Sequence, residues 1–341
     1  MSKVRPWMIW KGSMECTSSP PDKTGDGSPE ADHAPVMLEE TVNAIAVDRN
    51  GDYVDATYGR GGHARHLLAC LSPRANVLVI DRDMDAIANA RRLAARDSRV
   101  RVGHGRFGAL REHLEDGAWG RQSGVMFDVG VSSPQIEDAR RGFSFDRTGP
   151  LDMRMDQRDQ LTAATWLNGA RQSEIADVIR RFGEKRYASR LAKRIVAARP
   201  LHTTADLKSL VATTLSPSRR GSMAGAYARV FQAVRIHVND ELQELDRGLD
   251  AAFGALKVGG RVAVITFHSL EHRLVRQRFR RWVEGPALSR RMPPTDAAEP
   301  VARRIDTVGK GVRPSDAERD ANPRARSALL QAVEKTGERV Q

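Results

Sequence analysis

Cysteine is almost absent from this chain, and the little there is excludes several kinds of protein. The 341 residues include only Cys16 and Cys70, too few for the disulfide framework of a small secreted domain and without the paired spacing of a zinc site. No stretch approaches the ~18 apolar residues of a membrane helix. The apolar run at residues 7–10 is too short for a secretory signal. We therefore expect a cytoplasmic protein without a membrane segment.

Aromatic residues are scarce as well, at 5% of the chain, so aliphatic side chains must build most of the core. Positive charge, in contrast, is in excess: 55 Lys and Arg stand against 43 Asp and Glu, a formal net charge of +12. Such an excess favours a polyanionic partner, because each phosphate neutralised by a cation releases condensed counterions. An arginine-rich composition also follows from a GC-rich genome, so the charge by itself leaves the partner open.

Segments with the character of strands alternate with helical segments on both sides of a purely helical block. The strand-like segments lie at residues 51–56, 76–81, 99–102, 124–129 and 261–267, and only helical signals occur between about 157 and 215. Alternating strands and helices predict βαβ units and an open parallel sheet. We therefore predict an α/β, Rossmann-like fold with an inserted all-helical domain.

Changes of composition along the chain predict the domain limits. Residues 1–32 have the composition of a disordered N-terminal extension, because their second half is rich in Ser, Pro, Asp and Gly. Residues 33–138 and 226–341 would form one discontinuous domain, and residues 139–225 the inserted helical domain. Four prolines predict a loop at 284–300, and the segments 302–308 and 324–333 predict a closing pair of strands.

A loop with three glycines, at residues 55–63, directly follows the first predicted strand and opens a helix. Loops at the carboxyl ends of parallel strands are the usual place for nucleotide-like ligands. Asp81, at the end of the next strand, is spaced to bind two ribose hydroxyls. A dinucleotide and S-adenosylmethionine both suit this pattern. The Asp55 carboxylate would repel a pyrophosphate and attract a sulfonium and an ammonium group, so we predict S-adenosylmethionine, with an ordinary tight turn as the alternative.

Two more positions at the carboxyl ends of predicted strands bear on chemistry. Phe107, after the third strand, would stack on an adenine or else cover the sheet as a core aromatic. Asp128 ends the fourth strand and precedes the turn Ser132-Ser133-Pro134. An aspartate here would accept a hydrogen bond from an exocyclic amine while the turn holds a flat base. The alternative is an N-capped loop without chemistry.

Several long motifs carry a family resemblance. They are HAPVML at 33–38, YGRGGH at 58–63, IDRD at 80–83, GVSSPQ at 130–135, RGFSF at 141–145, GPLDMRMD at 149–156, FQAVRI at 231–236, FHSLE at 267–271 and NPRARS at 322–327. With these motifs, in this order, the chain closely resembles the ribosomal RNA small-subunit methyltransferase H family. The resemblance implies S-adenosylmethionine-dependent methylation of N4 of cytosine 1402 in 16S rRNA, within the small ribosomal subunit.

The resemblance also implies site residues and a role for the insertion. The helical domain would recognise the substrate, and the donor site would comprise Gly61, Gly62, His63, Asp81, Phe107, Asp128 and Gln135. Three departures from the family pattern are visible. Tyr58 stands where Phe is common, which should matter little, and His272 stands where Asp is usual, which leaves the role of that position open. Residues 1–32 have no counterpart in the family.

The proposed chemistry limits what the catalytic residues must do. The N4 lone pair of cytosine is delocalised into the ring, so catalysis comes chiefly from holding nitrogen, methyl group and sulfur in line. We predict that Asp128 orients the amine and acts secondarily as a base, helped by Ser132, Ser133 and Pro134. No metal is expected, because His268 and His272 lack further ligands. The target base must be unstacked to enter the site.

The substrate surface is less defined by the sequence than the donor site. Two groups of basic residues are candidates for contacting RNA phosphates: Arg180, Arg181, Lys185, Arg186, Arg190, Lys193 and Arg194, and then Arg276, Arg278, Arg280 and Arg281. A run of charge is usually only a solvated helix face. Two other functions therefore stay open, a methyltransferase acting on DNA cytosine or a protein amine, and a non-catalytic RNA-binding or assembly factor. The oligomeric state, monomer or homodimer, is not defined by the sequence.

Overall fold

A computed structural model of the chain describes residues 35–215, 222–284, 305–307 and 311–337. The predicted extension at 1–32 and residues 285–300 of the predicted loop lie outside these ranges. The chain divides into two compact units, one formed by the segments up to Gly130 and from Gln243 onwards, the other by Val131–Leu242. The predicted insertion, 139–225, lies inside the second unit, and its bounds as a substrate domain remain a prediction.

Among the described residues, every strand belongs to the first unit. The strands are β1 (Asp52–Asp55), β2 (Asn76–Asp81), β3 (Val100–His104), β4 (Gln122–Asp128), β5 (Leu256–Thr266), β6 (Ile305–Thr307) and β7 (Leu329–Lys335). The helices are α1 (Leu38–Ile45), α2 (Gly62–Cys70), α3 (Met84–Ala94), α4 (Leu110–His113), α5 (Ser133–Glu137), α6 (Ala163–Gly169), α7 (Gln172–Phe182), α8 (Ala188–Ala197), α9 (Thr204–Thr214), α10 (Met223–Asn239), α11 (Glu241–Ala255), α12 (Ser269–Glu284) and α13 (Asp316–Ala321).

The seven strands form one sheet in the order β3-β2-β1-β4-β5-β7-β6. Neighbouring strands from β1 to β5 pair in parallel, and β7 lies antiparallel between β5 and β6. The predicted Rossmann-like α/β fold with a helical insertion is confirmed. The chain reverses its direction of winding between β1 and β4, so their carboxyl ends border the switch point at which such sheets bind ligands. Within the described ranges, no helix is both long and apolar enough to cross a membrane.

The sheet is buried on both faces, which explains why its central strands are almost wholly apolar. Successive side chains of a strand point to opposite faces. In β2, accordingly, Val77 and Val79 belong to the core cluster that contains side chains of α1 and α2, whereas Leu78 and Ile80 belong to the cluster that contains side chains of α11 and α12. Each layer of helices covers one face, and the carboxyl ends of the strands are left for the ligand.

The start of β5 differs from the sequence-based prediction. The turn residues Gly259 and Gly260 predict a strand that begins only at Arg261, but the observed strand begins at Leu256. The pairing with β4 shifts by several residues at this place, from Gln122 opposite Leu256 to Gly124 opposite Arg261. The turn therefore forms a bulge inside the strand, because strand pairing resumes on both sides of it. The predicted closing strands are found as β6 and β7, although residues 323–327 form a 3₁₀ turn instead of strand.

The second unit is helical and has its own core. Its helices are amphipathic: α7 buries Ile175, Ala176, Val178 and Ile179 on one side and exposes charged residues on the other. α9 begins with a capping box: the Thr203 hydroxyl accepts a hydrogen bond from the Asp206 amide, and the Thr203 amide donates to Asp206 Oδ2. Such reciprocal caps stabilise the first turn of a helix.

An irregular segment at residues 149–160 is fixed to α10 by one buried amide. Asn239 is fully buried; its side-chain oxygen accepts from the Met155 amide at 2.7 Å, and its nitrogen donates to the Met153 carbonyl at 2.7 Å. Met153 itself has a φ of 61°, which is costly for a residue with a side chain. The segment has little regular structure of its own. These two hydrogen bonds attach it to α10, and the Arg141 guanidinium holds it further by donating to the carbonyls of Arg154 and Met155, at 3.1 Å and 3.0 Å.

Candidate active site

Three aspartates end three neighbouring strands of the first unit. Asp81, Asp55 and Asp128 terminate β2, β1 and β4, which are adjacent in the sheet. Parallel strands bring their carboxyl ends to the same edge, so residues far apart in the chain lie side by side. The sequence-predicted Asp81 and Asp128 are therefore brought to one edge, together with Asp55, which the sequence singled out for its charge.

The glycine loop connects these three strand ends through hydrogen bonds of its backbone and of the Thr57 hydroxyl. The Gly59 amide donates to Asp81 Oδ2 at 2.8 Å, and the Thr57 amide donates to Asp55 Oδ1 at 3.1 Å. The Thr57 hydroxyl accepts from the Asp128 amide at 2.6 Å. The loop therefore fixes the three strand ends relative to one another before any ligand binds.

The glycines at 61 and 62 are required by the packing of the loop itself. Gly61 has a φ of 72°, and a Cβ there would lie 2.4 Å from the Tyr58 ring. A Cβ on Gly62 would lie 2.0 Å from Pro35 Cγ. Tyr58 cannot move aside easily, because its buried hydroxyl donates to Asn89 Oδ1 at 2.7 Å. The tyrosine that departs from the family pattern thus makes a hydrogen bond that phenylalanine would lose.

Asp81 is suited to hold a ribose. Its two oxygens accept from the backbone amides of Gly59 and Asp83, at 2.8 Å and 2.9 Å. A carboxylate has about four acceptor positions, so two remain for hydroxyl donors. Burial raises the pKa of Asp81 above its ordinary value, while the two amides lower it.

Asp55 and Asp128 form a pair of neighbouring buried carboxyl groups whose ionisation is disfavoured. Burial, followed by the charge of Asp55 and then that of Glu271, raises the pKa of Asp128 to about 8. Burial and the charge of Asp81 raise the pKa of Asp55 to about 7, against the lowering effect of the Thr57 amide. Among the described residues, Asp55 Oδ2 and Asp128 Oδ1 have no hydrogen-bond partner. Buried polar atoms without partners are rare in native proteins.

The two carboxyl groups suit a cation that carries hydrogen-bond donors. A sulfonium and an ammonium group would neutralise the two aspartates, and the ammonium would supply protons to the unpartnered oxygens. A pyrophosphate would add negative charge to a site in which carboxylates already repel one another. The Asp128 side chain is 31% exposed, although its Oδ1 is buried, so part of the side chain can be reached from solvent. The geometry therefore favours S-adenosylmethionine over a dinucleotide.

His63 begins α2 beside Asp128. Its Nε2 lies 3.1 Å from the Val36 carbonyl, and its Nδ1 lies 3.9 Å from Asp128 Oδ2, too far for a hydrogen bond. Burial lowers the pKa of His63 to about 4. The imidazole is therefore neutral near pH 7 and does not neutralise Asp128.

Phe107 lies on the 3₁₀ turn after β3 and is half-buried. Its ring packs edge-on against Phe127, with the ring centroids 5.4 Å apart. One edge also abuts α11, where a Cβ on Gly248 would come within 2.5 Å of Phe107 Cδ2. The ring is thus held from behind while part of it stays accessible, which suits an adenine platform as well as a core aromatic.

Glu244 and Gly248 are two residues of this site that the sequence did not reveal. Glu244 is 2% exposed, and its Oε1 accepts a hydrogen bond from the Gly108 amide at 2.6 Å. Its other oxygen pairs with Arg247 at 2.9 Å. The carboxylate therefore fixes the turn that carries Phe107 to α11. Only the glycine within an otherwise good helix pattern could have drawn attention to this contact.

The turn after Asp128 belongs to the second unit. Ser132 precedes α5, Ser133 and Pro134 form its first residues, and Gln135 is buried. Gln135 Oε1 accepts from the Ser132 amide at 2.9 Å, so this oxygen caps the helix. The capped-turn alternative is therefore present in the structure, and the binding and catalytic roles of these four residues remain predictions.

The start of α12 contributes another buried acid near Asp128. Glu271 Oε2 accepts from the amides of Phe267 and His268, at 2.8 Å and 3.2 Å, and Oε1 lies 3.0 Å from His268 Nε2. His272, which departs from the family pattern, places Nε2 3.2 Å from the Thr266 carbonyl. Both histidines thus contact groups of their own strand–helix junction.

Comparison with known proteins identifies the family. A sequence model described as the MraW methylase family matches residues 30–336. A relative named ribosomal RNA small subunit methyltransferase H, from Xanthomonas euvesicatoria pv. vesicatoria, is 45% identical over 312 residues, covering 91% of this chain and 90% of its own. One of the same name from Stenotrophomonas maltophilia is 46% identical over 306 residues, covering 89% and 93%. The chain belongs to the MraW methylase family and is a methyltransferase whose donor is S-adenosylmethionine, as the sequence predicted.

Proposed function

We propose that the enzyme methylates N4 of cytosine 1402 in 16S rRNA, as part of the small ribosomal subunit, in the cytoplasm. The observation that carries the proposal is Asp128, which ends β4 at the switch point of the sheet: its pKa is raised, its buried Oδ1 has no hydrogen-bond partner among the described residues, and its side chain is 31% exposed. The names of the relatives support ribosomal RNA as the substrate. The excess of basic residues agrees with a polyanionic acceptor.

In this mechanism Asp128 positions the acceptor amine. S-adenosylmethionine, when bound, supplies a methyl group whose carbon–sulfur bond breaks as the nitrogen–carbon bond forms. The Asp128 carboxylate, whose side chain is 31% exposed, would accept one N4 hydrogen and so orient the nitrogen lone pair for attack. Holding reactants in line accounts for a large part of such a rate enhancement. As the new bond forms, the amine proton becomes acidic and passes to the Asp128 carboxylate.

The protonation of Asp128 sets an order of events. With a pKa of about 8, the carboxyl of the donor-free protein is mostly protonated at neutral pH. A cation close to a carboxyl favours its charged form, so arrival of the donor converts Asp128 to the carboxylate that the amine requires. Gly61, Gly62, His63, Asp81, Phe107 and Gln135 would hold the donor, and the turn at 132–134 would hold the flat ring of the base. The cytosine must first be unstacked from the RNA.

The test is methyl transfer from tritiated donor to 30S particles and to naked 16S rRNA, with duplex DNA as a further acceptor. We expect transfer to the ribosomal substrate and a loss of about 100-fold or more in kcat for Asp128→Asn, which keeps the shape but cannot take the proton. Calorimetry should show weaker donor binding by Asp128→Asn, because Asp128 is also a predicted donor-site residue; the rate at saturating donor therefore separates catalysis from binding. Mass spectrometry should locate N4-methylcytidine at the proposed base.

Three outcomes would overturn the proposal. Transfer to duplex DNA but not to ribosomal RNA would indicate a DNA methyltransferase instead. A protein without donor binding would be a non-catalytic RNA-binding factor, although the neighbouring buried carboxyl groups speak against that. An unchanged level of N4-methylcytidine at position 1402 in a deletion strain would exclude the proposed base.

A further inference from the structure

The basic residues of the second unit fall into two classes once their partners are known. Arg180 pairs with Asp177, and Arg171 pairs with Glu174 at 2.7 Å, each three residues away on α7. Arg194 donates to the Thr213 carbonyl at 2.7 Å. Alternation of opposite charges at this spacing is typical of a helix face that is merely solvated. These cations are therefore already satisfied by the protein.

Five other cations nearby have no such partner. We name them the α8 basic face, which consists of Arg181, Lys185, Arg186, Arg190 and Lys193. All five are exposed, and none forms an ion pair with a described residue. The only acid between residues 181 and 194 is Glu184, and it is paired with Arg229 at 2.8 Å. The segment therefore presents positive charge that nothing in the described part of this unit neutralises.

Three of the five cations stand close together in the chain at the start of α8. Arg190 and Lys193 are three positions apart on the helix, and Arg186 stands in the turn before it, four positions from Arg190. The opposite face of α8 is buried through Ala188, Leu191, Ala192 and Ile195, so the basic face must point to solvent.

Two of the guanidinium groups are held in place by aromatic rings. Arg181 lies over the Phe182 ring at 5.1 Å from the centroid, and Arg186 over the Tyr187 ring at 5.2 Å. Cation–π contacts of this kind restrain a side chain without neutralising its charge. The restraint lowers the entropy lost when a guanidinium binds a phosphate, and such a group can pair with two phosphate oxygens at once.

We propose that the α8 basic face binds the phosphate backbone of the RNA substrate, and this rests on the proposed function. Clustered like charges repel one another, and a polyanion relieves that repulsion while releasing its own counterions. The second group of candidates, on α12, is less suited, because Arg278 is already paired with Asp246 and Asp250. The α8 basic face would supply affinity without sequence information, since phosphate contacts position a protein but do not read bases.

The test is the salt dependence of RNA binding by the full-length chain. The variant Arg186→Gln/Arg190→Gln/Lys193→Gln removes three charges from the α8 basic face. The matched control Arg171→Gln/Arg180→Gln/Arg229→Gln removes three charges from the same unit, but from cations that are paired with acids. Filter binding to a 16S rRNA fragment and to 30S particles, between 50 and 300 mM KCl, gives the slope of log Kd against log salt for each protein, while circular dichroism checks folding.

Each phosphate contact contributes a slope of ~0.7 on single strands and ~0.9 on duplexes. We expect the face variant to lower the slope by about 2 to 3, and to weaken binding roughly 50- to 170-fold near 0.15 M salt, from the same relation. Its KM for RNA should rise, and its Kd for S-adenosylmethionine should stay unchanged. The control should keep a slope close to that of the wild type.

Failure of this inference can be told from failure of the proposed function. If the wild type neither binds nor methylates ribosomal RNA, the proposed function is wrong. If the wild type does both, and the face variant matches the control in slope and Kd, the α8 basic face does not bind phosphates. A loss of affinity for 30S particles without any loss for naked RNA would mean that the face contacts a ribosomal protein, which also overturns the inference.

Discussion

A methyl group added at Gly248 should weaken binding of the methyl donor while leaving its helix intact. In Gly248→Ala the new Cβ would lie 2.5 Å from Phe107 Cδ2, 2.9 Å from Phe107 Cε2 and 3.3 Å from Phe127 Cε1. Phe127 is fully buried and cannot give way. Phe107 is half-buried, so its ring is the one that moves, and it moves away from the position proposed for stacking on adenine.

The expected magnitudes follow from two opposing effects on stability and one on binding. Alanine favours a helix interior by about 1 kcal/mol over glycine, and overpacking costs about 1–3 kcal/mol. The net loss of folding stability should therefore be no more than about 2 kcal/mol. Stacking of a base on an aromatic ring contributes about 1–3 kcal/mol, which corresponds to a rise of roughly 5- to 150-fold in the Kd for S-adenosylmethionine.

Calorimetric titration with S-adenosylmethionine and thermal unfolding measure the two effects separately. Gly169→Ala on α6 is the matched control, because its Cβ would meet no atom within 4 Å and should leave the donor Kd unchanged. Phe107→Ala should lose at least as much affinity, and Gly248→Ala/Phe107→Ala should be no worse than Phe107→Ala alone. An unchanged donor Kd in both Gly248→Ala and Phe107→Ala would refute the reasoning and make Phe107 a core aromatic only.

Four further predictions concern other properties and parts of the molecule. Affinity for the methyl donor should rise from pH 6 to about 8, because Asp55 and Asp128 must lose their protons to hold a cation. Calorimetry in buffers of different ionisation enthalpy measures the protons released on binding, and a pH-independent Kd contradicts the prediction. The same raised pKa values mean that the donor-free protein loses stability as pH rises from about 4, the ordinary Asp range, to about 8, and levels off above that; urea titrations at several pH values measure this. Asn239→Ala should lower the free energy of unfolding by about 2–5 kcal/mol in urea titrations, because the Met155 amide and the Met153 carbonyl each lose a hydrogen bond in a buried site. The control Gln172→Ala, at an exposed position, should change it by less than about 0.5 kcal/mol. Glu244→Ala should raise the KM for the methyl donor up to about 10-fold at unchanged kcat. Glu244→Gln retains an acceptor for the Gly108 amide and should keep a KM close to that of the wild type. Equal KM values for both variants would argue against a role of Glu244 in positioning the turn that carries Phe107.

The chain order of strands and helices was open to prediction because it depends on local patterns. A strand buried on both faces must be apolar along its length, as in β2, and an amphipathic helix must repeat its apolar residues every three or four positions, as in α7. Asp55, Asp81 and Asp128 could be placed at one edge for the same reason, since parallel strands share the direction of their carboxyl ends. Local turn chemistry was a weaker guide: the turn at Gly259 marks a bulge within β5 and not the start of the strand.

The contacts between distant segments were decided by tertiary structure alone. The bond from the Gly108 amide to Glu244 joins residues 136 apart in the chain, and the contact between Gly248 and Phe107 depends on how α11 packs on the sheet. The charges behave in the same way: the sequence shows seven cations from Arg180 to Arg194, but only the fold shows which of them have partners. Periodic patterns and the residues at strand ends can be recognised within a short segment of sequence. Long-range packing depends on the summed energies of many contacts between distant segments, which no short segment contains.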